Sequence, residues 1–280
     1  MQLFAIPTGN FKLDGGAMFG VVPKSLWSKH YPSDENNMIN MTMRCLLVVD
    51  GDRRILINNG IGDKQSEKFF SHYHLNGDDS LVKSLALAGF APEDITDMFL
   101  THLHFDHAGG SVKYKADRSG FETVFPNATY WISAAQWEWA MHANRRESAS
   151  YLKENIQPIE ESGRLKLFDY PGELFPGIEV RFFNGHTDGQ AIPFIKYKGK
   201  TIVFTSDLLP TAAHLPLPWV MSYDTRPLIT LDEKELFLEE AVDKGYVLFF
   251  EHDLYTECCT LVRTEKGIKV DKSMSLKDLL

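Results

Sequence analysis

The sequence predicts an α/β fold of mixed sheets covered by helices, and three observations predict it. Strand-like and helix-like segments alternate, hairpin signals interrupt the alternation, and no linker or low-complexity tract divides the 280 residues. Alternation alone would give an all-parallel sheet; hairpins force some strands to run antiparallel. Layered α/β folds of this length can share a single core, so the expectation is one domain spanning residues 1–280.

The elements follow in order. "MRCLLVVDGDRRILINNG" reads as two apolar strands around Asp50-Gly51, a dipeptide suited to a tight hairpin turn. "GDDSLVKSLALAGF" places Leu81, Leu85 and Leu87 near helical spacing, with Gly89 as a stop. "DMFL" is a buried strand, and "SAAQWEWAMHAN" a helix capped by Ser133. On that helix Trp137 and Trp139 lie two apart, so only one of them can face inward. "IEVRFF" is another strand, and "IPFIKYKGKTIVFTSD" repeats the hairpin plan around Lys198-Gly199-Lys200, a weak hint of two related halves. "TLDEKELFLEEAVDKG" is the clearest helix, opening at Thr230 with acids in its first turn and closing at Gly245; strand "YVLFFEH" follows at once.

Composition bounds the function. A hydrophobic share of 44% supplies core enough for independent folding. A net charge of -9 argues against nucleic acid and anionic membrane surfaces, which attract basic patches, and leaves a small molecule as the expected partner. Met1 to Gly20 lacks a basic segment followed by an apolar one, and no apolar run approaches a membrane span, so a cytoplasmic setting is expected. Cys45, Cys258 and Cys259 are odd in number and two are adjacent, which suits reduced structural thiols. Apolar loops would equally suit a homodimer interface.

"THLHFDHAGG" carries the chemistry. His102 and His104 are two apart at the end of the "DMFL" strand, so both imidazoles point one way and can reach one ion. Asp106 and His107 are adjacent and need a turn, and Gly109 and Gly110 supply the backbone freedom to enter a helix after it. The spacing offers two ligand pairs aimed differently, a two-metal arrangement. At this histidine content, such a pattern should arise by chance on the order of once per thousand sequences. Two ions need further ligands, and His186 after "IEVRFF", Asp207 ending "IVFTSD" and His252 ending "YVLFFEH" each follow a buried strand. Imidazole and carboxylate donors without Cys suit Zn(II) first, and also Fe(II), Mn(II) or Co(II).

H-x-H-x-D-H followed by a separate His, Asp and His in that order resembles the metallo-β-lactamase-fold hydrolases over nearly the whole chain. The resemblance implies an αβ/βα four-layer sandwich with the site at one edge of two packed sheets. By position, it implies that His102, His104 and His186 bind one divalent ion, that Asp106, His107 and His252 bind a second, and that Asp207 bridges them. Two such ions would hold a bridging water as hydroxide, so hydrolysis is the expected reaction. His104 stands where oxygen- or nitric-oxide-reducing relatives carry Glu. Asn58, Asp188, Gln190 and Ser206 depart from common family residues at positions that are not ligands.

The long N-terminal segment "GNFKLDGGAMFGVVPKSLW" resembles that of N-acyl-homoserine lactonases and their neighbours of the methyl-parathion-hydrolase type. The function expected is therefore that of a quorum-quenching lactonase opening a lactone ester, with Asp106 protonating the leaving group. A Tyr common three residues after the bridging Asp is here Pro210, and the nearest substitutes for orienting substrate are His214 and Tyr223. Met18, Phe19, Trp27, Trp219 and Met221, with His214 and Tyr223, are the candidate substrate-binding residues; ordinary core filling is the competing reading for each. The alternatives are an organophosphate or aryl ester hydrolase, a thioester hydrolase of the same fold, or a non-catalytic metal-stabilised ligand-binding protein.

Overall fold

The computed structural model describes residues 1–279, and the chain folds as two compact units: Met1–Asn10 with Met43–Tyr170, and Phe11–Thr42 with the chain from Pro171 onward. The first unit is built from the first part of β1 (Gln2–Asp14), the last part of β2 (Met38–Asp50), and β3 (Arg53–Ile57), β4 (Asp97–Phe99), β5 (Val112–Tyr114), β6 (Phe121–Thr123), β7 (Thr129–Ser133) and β8 (Leu165–Phe168). Six of them form a sheet in the order β1-β2-β3-β4-β7-β8, while β5 and β6 make a separate ribbon. The β2–β3 hairpin turns at Asp50-Gly51, as the sequence predicts, because Gly51 takes φ 57 without cost. β4 runs parallel to both its neighbours and is buried on both faces, which is why its sequence is continuously apolar after Asp97. Its core includes Leu47, Leu56, Met98, Tyr130 and Ile132, covered by Leu85, Trp137 and Ile159 from three helices.

The second unit carries a seven-stranded sheet of sequence neighbours: β9 (Gly172–Phe175), β10 (Ile178–Phe183), β11 (Gln190–Tyr197), β12 (Lys200–Phe204), β13 (Val247–Phe249), β14 (Cys258–Thr264) and β15 (Gly267–Met274). Its β11–β12 hairpin turns at Lys198-Gly199, and β12 pairs parallel with β13 across the helix Pro227–Lys244. Hairpin and then parallel neighbour is also the plan of β2, β3 and β4 in the first unit. Both sheets are thus mixed. The helix begins at Pro227, three residues before Thr230, because proline is well suited to a first turn whose N–H has no helical partner; it ends at Gly245 in the left-handed conformation, as expected. Among the described residues, no helix is long and apolar enough to cross a membrane.

Two expectations about the motif need correction. β4 stops at Phe99, so His102 and His104 lie on an extended loop rather than on a strand face. The helix Phe105–Ala108 precedes Gly109 and Gly110 instead of following them, and neither glycine has a positive φ. Glycine is required there by close approach. A Cβ on Gly109 would lie 2.1 Å from the Ile61 carbonyl oxygen, and one on Gly110 would lie 2.2 Å from that of Asn59.

Candidate metal centre

Four of the proposed ligands sit at a common position: His102, His186, Asp207 and His252 each come three residues after the last residue of β4, β10, β12 and β13 respectively. A buried strand delivers the chain to the sheet edge, and three residues of loop then turn a polar side chain towards its neighbours.

In the first unit, His102, His104, Asp106 and His107 are all buried. Nε2 of His102 faces Nδ1 of His104 at 3.1 Å, and the rings of His102 and His107 lie 3.9 Å apart. The outward nitrogen of His104, Nε2, lies 2.9 Å from Glu147 Oε1. Glu147 also accepts from Tyr151 Oη at 2.8 Å, from Trp139 Nε1 at 2.6 Å and from Asn144 Nδ2 at 3.2 Å. A carboxylate so loaded with donors is an acceptor towards His104, so the histidine proton sits on Nε2 and Nδ1 keeps its lone pair. Trp137 is the inward tryptophan of its helix, and Trp139 is the one that holds Glu147. On the other side, Nε2 of His107 lies 3.6 Å from Asp106 Oδ2.

The motif loop is fastened to its surroundings by backbone. Asn59 N donates to His107 O and Gly110 N to Gly60 O, both at 2.9 Å. Lys64 Nζ donates to Gly109 O at 2.5 Å, and Leu103 N to Gln136 Oε1 at 3.1 Å. Tyr73 packs on Phe105 with ring centroids 4.7 Å apart, and burial together with the charge of Asp106 pushes its hydroxyl up to about 12, so it keeps its proton.

In the second unit the carboxylate of Asp207 spans two imidazoles: Oδ2 lies 3.1 Å from His186 Nε2, and Oδ1 lies 3.3 Å from His252 Nε2. The far nitrogens are held in turn, His186 Nδ1 by Asp224 Oδ1 at 2.9 Å and His252 Nδ1 by the Thr42 carbonyl at 2.9 Å. Burial opposes charge on His186, but the carboxylates on its two sides lift it to about 10. An arriving cation therefore displaces a proton from this ring. The donors suit divalent metal ions: imidazole nitrogens and carboxylate oxygens, most rings fixed from behind by an oxygen acceptor. Sequence reasoning missed Glu147, Asp224 and Thr42, which carry no local pattern.

The candidate substrate residues all belong to the second unit. Met18, Phe19 and Trp27 are buried to 1% exposure or less. Phe19 stacks between Trp27 and His214, with centroids at 5.0 and 4.5 Å. His214 has Nδ1 on Thr211 Oγ1 and Nε2 on the Met18 carbonyl, both at 2.8 Å, and burial holds it down at about 3, so the ring is neutral with both nitrogens engaged by the protein itself. Met221 is buried, Trp219 is half-buried, and Tyr223 is 40% exposed.

The loop carrying Trp219 is held from beneath by Lys234, whose Nζ donates to the carbonyls of Pro216 and Trp219 at 2.9 Å each. Burial lowers its pKa from 10.5 to about 7, against an upward pull from Asp224. Between those values the unfolded chain binds the extra proton, so stability from this residue grows as pH rises from about 7 towards 10.5. Melting temperatures measured across that range should show wild type gaining on Lys234→Met as pH rises; a constant difference would count against the depressed pKa.

Comparison with known proteins agrees with this geometry. The family model of the metallo-beta-lactamase superfamily matches residues 44–252. An N-acyl homoserine lactonase of Bacillus cereus is 25% identical over 96% of both chains. A crystal structure from Staphylococcus aureus, described as a probable metal-dependent hydrolase, is 32% identical with a TM-score of 0.89, covering 100% of this chain and 98% of its own. The dizinc quorum-quenching lactonase AidC, at 23% identity, shares the fold with a TM-score of 0.79 over 98% of this chain and 95% of its own. With the model spanning most of the sequence and the Staphylococcus protein aligned along all of it, the chain belongs to the metallo-beta-lactamase superfamily.

Proposed function

We propose that this hydrolase opens the lactone ring of an N-acyl homoserine lactone with the help of a pair of divalent ions, zinc in the first instance. His102, His104 and His186 would hold one ion and Asp106, His107 and His252 the other, with Asp207 shared between them as the resemblance implies. The observation that carries the reading is the Asp207 carboxylate, one oxygen on His186 and the other on His252, the disposition a bridging ligand needs. The lactone is supported by relatives of that name that match along 96% of both chains.

When bound, such a pair of ions supplies hydroxide at neutral pH and polarises an ester carbonyl. The chain's own residues do the rest. Asp106 would take up the proton given up by the attacking water and hand it to the departing ring oxygen, beside a Tyr73 hydroxyl that stays neutral. Trp219 and Tyr223 meet the substrate from the loop, while Met18, Phe19, Trp27, His214 and Met221 support that loop from behind. The same reading carries a cytoplasmic setting, in which the buried thiols of Cys45, Cys258 and Cys259 stay reduced, and a homodimer through exposed apolar residues such as Val21 and Leu228.

The test is a turnover panel of short- and long-chain acyl lactones, an aryl phosphotriester and a thioester, with metal content measured on the same sample. Lactones should turn over fastest, chelator should abolish the activity, and Zn(II) or Co(II) should restore it. Unchanged turnover in metal-free protein, or a preference for the phosphotriester or thioester, would overturn the reading.

A further inference from the structure

We infer that the two metal positions are built unequally, and that Asn58 is the positioning residue that weakens the second. The inference rests on the ligand set proposed above and concerns how two of its histidines in the first unit, His104 and His107, are prepared.

His104 is prepared for ligation: Glu147 accepts from Nε2, which leaves the Nδ1 lone pair facing His102. His107 meets the opposite arrangement. Its Nδ1 lies 3.1 Å from Nδ2 of Asn58. The orientation of that amide is set by the backbone of Thr101, whose N–H donates to Asn58 Oδ1 at 2.9 Å; an N–H has no other role, so the oxygen must point there and the amino group must point at His107. A neutral imidazole carries one proton. With Nδ1 accepting from Asn58, that proton is on Nε2, the nitrogen on the Asp106 side, where the second ion has to bind. Ligation then requires the Asn58 amide to turn over and break its bond with Thr101, or the proton to leave His107 altogether. Either demand lowers the affinity of the second position directly, whereas the first feels Asn58 only at one remove, through the Thr101 hydroxyl that lies 3.0 Å from Asn58 Nδ2 and 3.1 Å from His102 Nδ1.

Asn58→Asp reverses the demand. A carboxylate accepts from Thr101 N–H with one oxygen and from His107 Nδ1–H with the other, freeing the Nε2 lone pair. Asn58 sits at φ 58, a conformation Asp also tolerates, so the exchange is compatible with the backbone.

The experiment titrates Zn(II) into the metal-free protein against a chromophoric chelator and follows the histidine tautomers by nitrogen-15 NMR. Wild type should bind its second ion more than tenfold more weakly than its first, and its His107 proton should be on Nε2. Asn58→Asp should move that proton to Nδ1 and tighten the second ion by ~10–100-fold, the range for partners that orient metal-bound histidines, with a smaller change in the first constant. A His107 proton on Nδ1 in wild type, or a second constant indifferent to Asn58→Asp, would overturn the inference. If no ion binds at all, the ligand set fails, and the wild-type tautomer still decides the role of Asn58.

Discussion

Asp207→Ala is expected to cost the protein both metal ions and about a thousandfold in ester turnover, equivalent to ~4 kcal/mol of transition-state stabilisation. One carboxylate here meets two imidazoles: its oxygens lie 3.1 and 3.3 Å from His186 and His252. Removing it takes a negative charge from each proposed position at once, while Asp224 and the Thr42 carbonyl still hold the two rings from behind. Metal analysis should therefore fall from two ions per chain towards none with the fold retained by circular dichroism. Two tightly held ions in the variant would refute the shared role.

The second large effect falls on stability. Gly109→Ala should destabilise by about 3 kcal/mol or more, because the new methyl would sit 2.1 Å from a backbone oxygen of Ile61 that no rotamer change can move. For a chain of this size that is a drop of roughly 6–12 °C in melting temperature. Activity should fall as well, since the Gly109 and Gly110 backbone is bonded to Lys64 and Gly60 on the same loop that carries Asp106 and His107. Gly120→Ala serves as the control: nothing lies within 4 Å of its added carbon, and the change should stay within about 0.5 kcal/mol. Equal melting temperatures for the two variants would remove close approach as the reason for the glycine.

Local chemistry was legible in the sequence. The turns at Asp50-Gly51 and Lys198-Gly199 announce themselves because they need positive φ, which few residues accept. The ligand histidines are visible because their type and crowding are rare. What was hidden is whatever depends on distant partners. Glu147 reaches His104 across 43 positions, Asp224 reaches His186 across 38, and the Thr42 carbonyl reaches His252 across 210. Nothing near Glu147 in "NRRESAS" distinguishes it from a surface acid, though it is 4% exposed. Asn58 and Ser206 lie between these cases: both stand out in the sequence as departures, and both take positive φ, but only contact with Thr101 and His107 gives Asn58 its consequence.

Lys234 holds its loop by main-chain carbonyls alone. The path of the backbone from Pro216 to Trp219 is therefore independent of which side chains the loop displays. Under the proposed function, substrate preference can then drift by exchange of the Trp219 side chain while the carbonyls that fasten the loop, and the ligands set elsewhere in the chain, stay as they are.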